Sequence, residues 1–226
     1  MQEVVPINTE RTNAQATQLT EALAAGASST RLKAALTIGT DADPAVLEAL
    51  VARCAIEPDF YVRDMLTWAL TRLPADLTVP RLLAELDSDR SQARSQALHT
   101  LSKIGDLRAW PAMTPALIRD PDDEVARAAW RAAVAVVPED QMRDLAEELA
   151  AQLGRGEREV QLSLSRAMIE LGTVIEPILQ RASTSDDPVV AAHAAATERL
   201  LEDPDASFEP AVKAAKRIFA LGGERS

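Results

Sequence analysis

The chain of 226 residues carries 24 basic and 35 acidic side chains, and its apolar residues make up 47% but its aromatic residues only 3%. A chain of this length is large enough for a substantial core, because it buries roughly 70% of the surface that its unfolded form exposes. The formal net charge of −11 argues against a protein that coats a nucleic-acid duplex. Apolar content that is mostly Ala, Leu and Val favours helices over strands, so we predict an all-α fold.

The sequence indicates a soluble, cytoplasmic protein that does not bind membranes. A single cysteine, Cys54, cannot form an internal disulfide, and residues 1–6 lack the basic and apolar regions of a secretory signal. The longest uncharged apolar run, residues 132–137, is far shorter than the ~20 residues that cross a bilayer.

A helical pattern recurs at intervals of roughly 30 residues. From an anchor residue, apolar or small side chains recur four, eight and eleven positions later, which is the spacing of one buried helix face. The four clearest anchors are Val62, Ala93, Val125 and Val160. Two weaker copies start at Ala27 and Val189, and their polar members Arg31, His193 and Thr197 indicate edge positions. The predicted core stripe of the clear copies contains Leu66, Leu70, Leu73, Ala97, Leu101, Ile104, Ala129, Ala133, Val136, Leu164, Met168 and Leu171.

The repeats predict helix pairs along the whole chain, in a single repeat domain over residues 1–226. The first helices are predicted near 10–24, 44–55, 76–86, 107–119, 139–153, 174–182 and 207–221. The second helices are predicted near 28–38, 60–73, 90–104, 124–137, 157–171 and 187–202. We expect Gly39, Gly105 and Gly172 to end helices, because glycine is the preferred residue just after a helix.

Two segments, residues 98–106 and 120–129, resemble HEAT repeats in the short form that also occurs in phycobilisome-lyase-like proteins. The resemblance covers about residues 10–221 and is strongest at 88–138. It implies a right-handed α-solenoid of about six antiparallel helix pairs plus a C-terminal capping helix. In this family the second helices line a concave groove that generally holds another macromolecule. Phe208 and Phe219 would cover the apolar face of the last repeat.

The position six residues after each anchor should face solvent and align from repeat to repeat. It reads Lys33, Trp68, His99, Arg131, Arg166 and Ala195. The position ten residues after the anchor adds Arg72, Lys103 and Arg199, with the acid Glu170 opposing them. We predict that the basic and aromatic members of this set bind an acidic peptide or an acidic face of a protein. The alternative is an ordinary solvated helix face.

No motif for catalysis, metal or cofactor binding is recognised. The acidic run at residues 120–125 has Val125 where a calcium loop needs glycine, and helix capping explains its acids. Cys54, His99 and His193 lie in different repeats without zinc-ligand spacing. Trp110 and Trp130 are expected to be packing residues. We predict no catalytic residue, no metal and no cofactor, and therefore not an enzyme.

Two classes of function remain. The first is a non-enzymatic protein–protein interaction scaffold that binds its partner on the concave face. The alternative is a nucleic-acid-binding protein related to alkylpurine DNA glycosylases, whose superhelices are similar. The net charge and the absence of a dense patch of Lys and Arg argue against duplex binding, since useful affinity needs several phosphate contacts. A lyase or chaperone that acts on a chromophore-bearing protein rests on repeat similarity alone.

Overall fold

The computed structural model of the protein describes residues 7–203, with side chains from residue 14, and this range contains helices and turns but no strand. The helices form consecutive pairs. The first helices are α1 (Ile7–Leu23), α3 (Leu47–Cys54), α5 (Ala75–Glu85), α7 (Pro115–Ile118), α9 (Met142–Ala150) and α11 (Glu176–Ala182). The second helices are α2 (Ser28–Asp41), α4 (Phe60–Arg72), α6 (Ser91–Ile104), α8 (Asp123–Val136), α10 (Arg158–Ile169) and α12 (Pro188–Glu202). Short 3-10 segments at 44–46, 107–112, 139–141 and 172–175 precede four of the first helices.

The prediction of an all-α chain built from helix pairs is confirmed for this part of the chain. The second helices begin and end within three residues of their predicted limits. The predicted capping helix at 207–221, with Phe208 and Phe219, lies outside the described residues.

One predicted first helix, residues 107–119, is wrong as a continuous helix. The chain forms a 3-10 segment over Leu107–Ala112 and then the short helix α7. Proline disfavours the α conformation in the residue before it, and this affects Trp110 and Thr114. Thr114 is instead the N-cap of α7, where its side chain accepts a hydrogen bond from the backbone N–H of Leu117.

The described helices fall into two compact units, and the boundary in the sequence lies between Ala109 and Trp110. In the N-terminal unit, α2 packs against α1 and α4, and α4 also packs against α6. In the C-terminal unit, α8 packs against α7 and α10, and α10 also packs against α12. The interpretation of residues 1–226 as one repeat domain stays a prediction.

The predicted core stripe forms the interior of both units. In the N-terminal unit Leu66, Leu70 and Leu101 are completely inaccessible to solvent. The buried stripe residues of the C-terminal unit include Val125, Ala129, Ala133, Val136, Leu164 and Met168. Ile104, at the end of α6, is only half-buried. The periodic apolar pattern therefore identified most of the contacts that hold successive helices together.

The two weaker copies fit two registers, one counted from the buried stripe and one counted from the helix N-cap. In the four clear copies the anchor is the third residue after the helix N-cap, as Val62 is after Asp59. The N-caps of α2 and α12 are Ala27 and Asp187, so the equivalent anchors are Thr30 and Val190. Thr30 is exposed, like the chosen anchors Ala27 and Val189. The stripe residues counted from Ala27 and Val189 are all buried, namely Arg31, Ala35, Ile38, His193, Thr197 and Leu200. The two registers arise because small residues before α2 and paired valines in α12 fit the pattern in more than one frame.

Counted from the helix N-cap, one arginine position recurs in three repeats. Arg31, Arg63 and Arg94 each directly follow an anchor and donate hydrogen bonds to backbone carbonyls in the turn before their own helix. Gln161 makes the equivalent bond to the Gly156 carbonyl at 3.1 Å. These side chains satisfy carbonyl groups that the ends of helices leave without a partner.

The polar members of the weaker copies are buried, contrary to the expectation of edge positions. Arg31 is 5% exposed and makes a bidentate ion pair with Glu57, with both N–O distances 2.7 Å. Arg53 donates to the same carboxylate at 2.6 Å, and the backbone N–H of Asp59 donates at 3.0 Å. Burial alone would raise the pKa of Glu57, but these hydrogen bonds outweigh burial and lower it to about 2. The network therefore fixes the turn before α4 to both α2 and α3.

Replacing Leu101 by alanine should lower the free energy of unfolding by about 2–5 kcal/mol, because it leaves a cavity in the packed stripe. Leu107→Ala is the matched control, since Leu107 is 62% exposed and its truncation should change stability by less than about 0.5 kcal/mol. Urea titrations followed by circular dichroism measure both variants. Equal stability of the two would contradict the proposed packing.

Candidate protein-binding faces of the second helices

The structure places the predicted site residues on the second helices of both units. Exposed members in the N-terminal unit are Lys33, Trp68, Arg72 and Lys103, and His99 is half-buried there. They lie on α2, α4 and α6, which pack in that order. Arg131 and Arg166 are exposed on α8 and α10, which pack against each other in the C-terminal unit. Their role in binding a partner stays a prediction.

Counting from the helix N-cap changes two members of the predicted row. Leu36, rather than Lys33, occupies the position of α2 that corresponds to Trp68 in α4. Leu36 is 41% exposed and Trp68 is 36% exposed. In α12 the equivalent residue is Ala196, which is buried, instead of Ala195. Counted in this way, the row holds Leu36, Trp68 and the half-buried His99 in the N-terminal unit, and Arg131, Arg166 and the buried Ala196 in the C-terminal unit.

The cations of these faces have no acidic partner within 4 Å among the described residues. This holds for Lys33, Arg72, Lys103, Arg131 and Arg166. Protein atoms around part of Arg131 displace water, and together with the charge of Arg127 they lower its pKa, against the attraction of Glu124 and Glu170. These cations are therefore available to an acidic ligand.

Many arginines elsewhere are paired, and several pairs join successive repeats. In the N-terminal unit Arg81 of α5 binds Glu48 of α3 at 2.8 Å. In the C-terminal unit Arg119 binds Glu148, and Arg181 binds Glu147. Each such exposed pair contributes little to stability. The sequence analysis missed these pairs, although acidic and basic side chains about one repeat apart on the first helices could have indicated them.

Trp68 differs from the other two tryptophans. Trp130 is fully buried and its Nε1–H donates to the Ile118 carbonyl at 2.9 Å, while Trp110 donates to Gln141 Oε1 at 2.8 Å. Both are packing residues, as predicted. Trp68 donates no hydrogen bond to any described residue. Its indole is therefore held by packing alone.

That packing explains a glycine inside a helix. Gly39 was expected to end its helix, but α2 continues to Asp41 and is followed by Ala42 at φ 53°. A β-carbon on Gly39 would lie 2.3 Å from Cζ3 and 2.6 Å from Cε3 of Trp68. Glycine in a helix costs about 1 kcal/mol relative to alanine, and here it leaves room for the indole ring. The expectation failed because a contact between helices, rather than a helix end, requires this glycine.

A histidine and a serine approach each other in the C-terminal unit, but both are inaccessible. His193 Nε2 lies 3.0 Å from Ser165 Oγ and 3.0 Å from the Gln161 carbonyl, and the two side chains are 1% and 0% exposed. The Gly154 N–H donates to His193 Nδ1 at 3.0 Å, so the proton of the neutral ring is on Nε2. Ser165 also contacts Thr197 Oγ1 at 2.7 Å. This cluster supports packing, because no substrate reaches it.

Other reactive groups in the described range give no sign of a reaction centre. The thiol of Cys54 is buried, and burial raises its pKa to about 12. Residues 7–203 hold no group of three His, Cys, Asp or Glu side chains that could bind a metal ion. In the same range no helix has both the length and the apolar character needed to cross a membrane.

Stability should fall as the pH drops below about 6.5, because burial lowers the pKa of His193 to about 4 in the folded state. Between these two pKa values the unfolded chain binds more protons at this histidine than the folded chain does. The free energy of unfolding should therefore be lower by about 2 kcal/mol near pH 5, and this loss should level off below the pKa of folded His193. Urea titrations at about pH 7.5 and pH 5 measure it. His193→Gln should remove most of this pH dependence, and His99→Gln should retain it. The same pH dependence in both variants would refute this role for His193.

Gly39→Ala should displace the indole of Trp68, because the new β-carbon and the ring cannot occupy the same space. We expect a changed near-ultraviolet circular dichroism spectrum and a lower free energy of unfolding. The new β-carbon also lies 3.0 Å from the backbone Cα of Ala69, and the helix propensity of alanine returns only about 1 kcal/mol. Gly26→Ala is the control, because nothing lies within 4 Å of its modified position. The spectral change should disappear when Gly39→Ala is made in a Trp68→Phe background. Persistence of the change there would assign it to another residue.

Comparison with known proteins agrees with this fold. Residues 55–135 match the family described as HEAT repeats. No curated protein matches the chain. Similar solved structures include an engineered protein with 21% identity, covering 88% of this chain and 97% of that one, with a TM-score of 0.47.

Two natural proteins are also similar. The complex of CpcE and CpcF of phycocyanin lyase from Nostoc sp. PCC7120 has 21% identity over 88% of this chain and 86% of that chain, with a TM-score of 0.48. Human deoxyhypusine hydroxylase in complex with glycerol has 15% identity over 96% of this chain and 99% of that one, with a TM-score of 0.48. The family match and the helix pairs confirm the resemblance predicted from residues 88–138: the chain contains HEAT repeats over residues 55–135.

Proposed function

We propose that this protein is a non-enzymatic interaction scaffold that binds an acidic segment of a protein or peptide on the exposed faces of its second helices. HEAT repeats generally mediate protein interactions, which supports the general class. The specific support is the set of unpaired cations on α2, α4, α6, α8 and α10, in a chain whose formal net charge is −11. Unpaired cations increase the rate of encounter with an acidic partner and disfavour basic ones.

The second helices of the N-terminal unit carry more basic than acidic side chains. Its second helices α2, α4 and α6 contain Asp41 and Asp64 as their only acids. The same helices carry Lys33, Arg72 and Lys103 without ion pairs. Asp41 accepts a hydrogen bond from Gln15 at 2.9 Å, at the far end of α2. An acidic ligand therefore meets a surface of opposite charge there.

Two further parts of the proposal concern chemistry and location. The buried Ser165–His193 cluster and the buried Cys54 thiol both support a role in binding rather than in catalysis. A buried, unpaired cysteine is compatible with a reducing compartment, and we propose the cytoplasm.

Replacing both Arg131 and Arg166 by glutamate should weaken binding of acidic peptides at least about tenfold, since attraction becomes repulsion at the interface. The probes are peptides of about 16 residues selected from a random display library on the full-length protein, measured by fluorescence anisotropy. We expect the selected peptides to be richer in Asp and Glu than the unselected library. Circular dichroism should show unchanged folding, because exposed charges usually alter stability by less than about 0.5 kcal/mol.

The matched control is Arg90→Glu with Arg143→Glu. Both residues are exposed cations without an ion pair, Arg90 before α6 and Arg143 on the first helix α9, so the control changes the net charge equally. Its affinity should stay within about twofold of wild type apart from long-range effects, which salt screens. Neutral or basic selected peptides, or equal losses in both double variants, would contradict the proposal. Nanomolar binding of duplex DNA near 0.15 M salt would instead favour the nucleic-acid alternative.

A further inference from the structure

The exposed aromatic residues of the described chain are concentrated on one helix of the N-terminal unit. Phe60, Tyr61 and Trp68 all lie in α4 and are 66%, 73% and 36% exposed. Tyr61 and Trp68 are seven residues apart, so they lie on the same face of α4, about 10 Å apart along its axis. Leu36 lies one turn before Gly39, the α2 residue against which the indole of Trp68 packs. These residues, Leu36, Tyr61 and Trp68, are called the Trp68 strip below.

The Trp68 ring packs against α2 with its polar edge directed away from that helix. Its Cζ3 and Cε3 atoms pack against the backbone of α2 at Gly39. These atoms are on the edge of the indole opposite Nε1, so the N–H points away from α2. This N–H has no acceptor within the described chain, unlike the N–H groups of Trp110 and Trp130. A packed aromatic ring with an available donor is typical of the residues that dominate binding energy.

The charges that flank the Trp68 strip identify the chemistry of its partner. Arg72 follows Trp68 by one turn of α4, and Lys33 precedes Leu36 by one turn of α2. Arg72 and Lys33 are both exposed and lack an ion pair. Asp64 is the only acid within α4, on the same side as Tyr61 and Trp68. Asp64 therefore places one exposed acid between Tyr61 and Trp68, while the unpaired cations Lys33 and Arg72 lie at the ends of the strip.

The secondary structure of this surface limits how a segment can bind. A segment that binds by adding a strand needs a sheet edge, and the helices that form the strip offer none. A helix satisfies its own backbone hydrogen bonds and presents apolar side chains seven residues apart on one face. That spacing matches Tyr61 and Trp68.

We propose that the Trp68 strip binds an acidic amphipathic helix of a partner protein, and that a carboxylate of this helix accepts the Nε1–H of Trp68. Apolar side chains of the partner helix cover Leu36, Tyr61 and Trp68, and its acids face Lys33 and Arg72. The inference rests on the proposed function, because it names the partner structure and the contact at one part of the same faces.

The test uses a designed helical peptide of about 16 residues with two leucines seven positions apart and a glutamate beside the position of Trp68, kept helical by a side-chain staple. A second peptide has glutamine in place of that glutamate. Trp68→Phe retains an aromatic ring but removes the N–H, and Trp68→Ala removes both. Hydrogen bonds to charged groups are strong, so Trp68→Phe should weaken the glutamate peptide about tenfold or more and the glutamine peptide by much less.

Gly39→Ala is a second variant that retains the indole but displaces it, and it should weaken the glutamate peptide by a similar factor. Circular dichroism confirms that each variant is folded. Equal affinity of wild type and Trp68→Phe for the glutamate peptide, or no binding of this peptide at about 1 mM, would overturn the inference. In that case the proposed function still stands if the library peptides are acidic and lose affinity for the double variant Arg131→Glu with Arg166→Glu.

Discussion

The buried stripe of each second helix is the constraint on which the rest of the structure depends. A helix pair of this length cannot cover its own apolar residues, so each pair must pack against its neighbours. Within the N-terminal unit, Leu66 and Leu70 of α4 are inaccessible because α2 and α6 lie on both sides. Since one side of every second helix is used for this packing, the other side is left for solvent or for a partner.

Hydrogen bonds of polar groups at the turns hold the packed helices in one arrangement. The Glu57 carboxylate receives bonds from Arg31, Arg53 and the Asp59 backbone, and it is 0% exposed. A buried carboxylate is tolerated only when its hydrogen bonds are satisfied, so the three elements that carry these donors are held in one arrangement. His193 acts similarly in the C-terminal unit, where its neutral ring joins α10, α12 and the turn at Gly154. These clusters are specific to individual repeats, whereas the apolar stripe is shared.

The distribution of ion pairs separates two kinds of surface. Arginines such as Arg81 and Arg181 are neutralised by glutamates of a neighbouring first helix. The cations on the exposed faces of the second helices lack such partners in the part of the chain that the structure describes. The charge of an unpaired cation is not neutralised by a neighbouring acid. These faces are therefore locally positive, although the protein as a whole is strongly acidic. The Trp68 ring adds an apolar anchor to one of them.

The sequence by itself determined the helix class, the repeat interval and most of the core. This was possible because apolar side chains that recur with a 3.6-residue period indicate one buried face of a helix. It also predicted that Lys33, Trp68, Arg72, Lys103, Arg131 and Arg166 would be exposed. The tertiary structure decided what depends on contacts between distant residues. Examples are the burial of Arg31 against Glu57, the burial of His193 beside Ser165, and the need for Gly39 beneath Trp68. Pattern alone could not find these, since an arginine at a core position or a glycine in a helix has meaning only beside its partner.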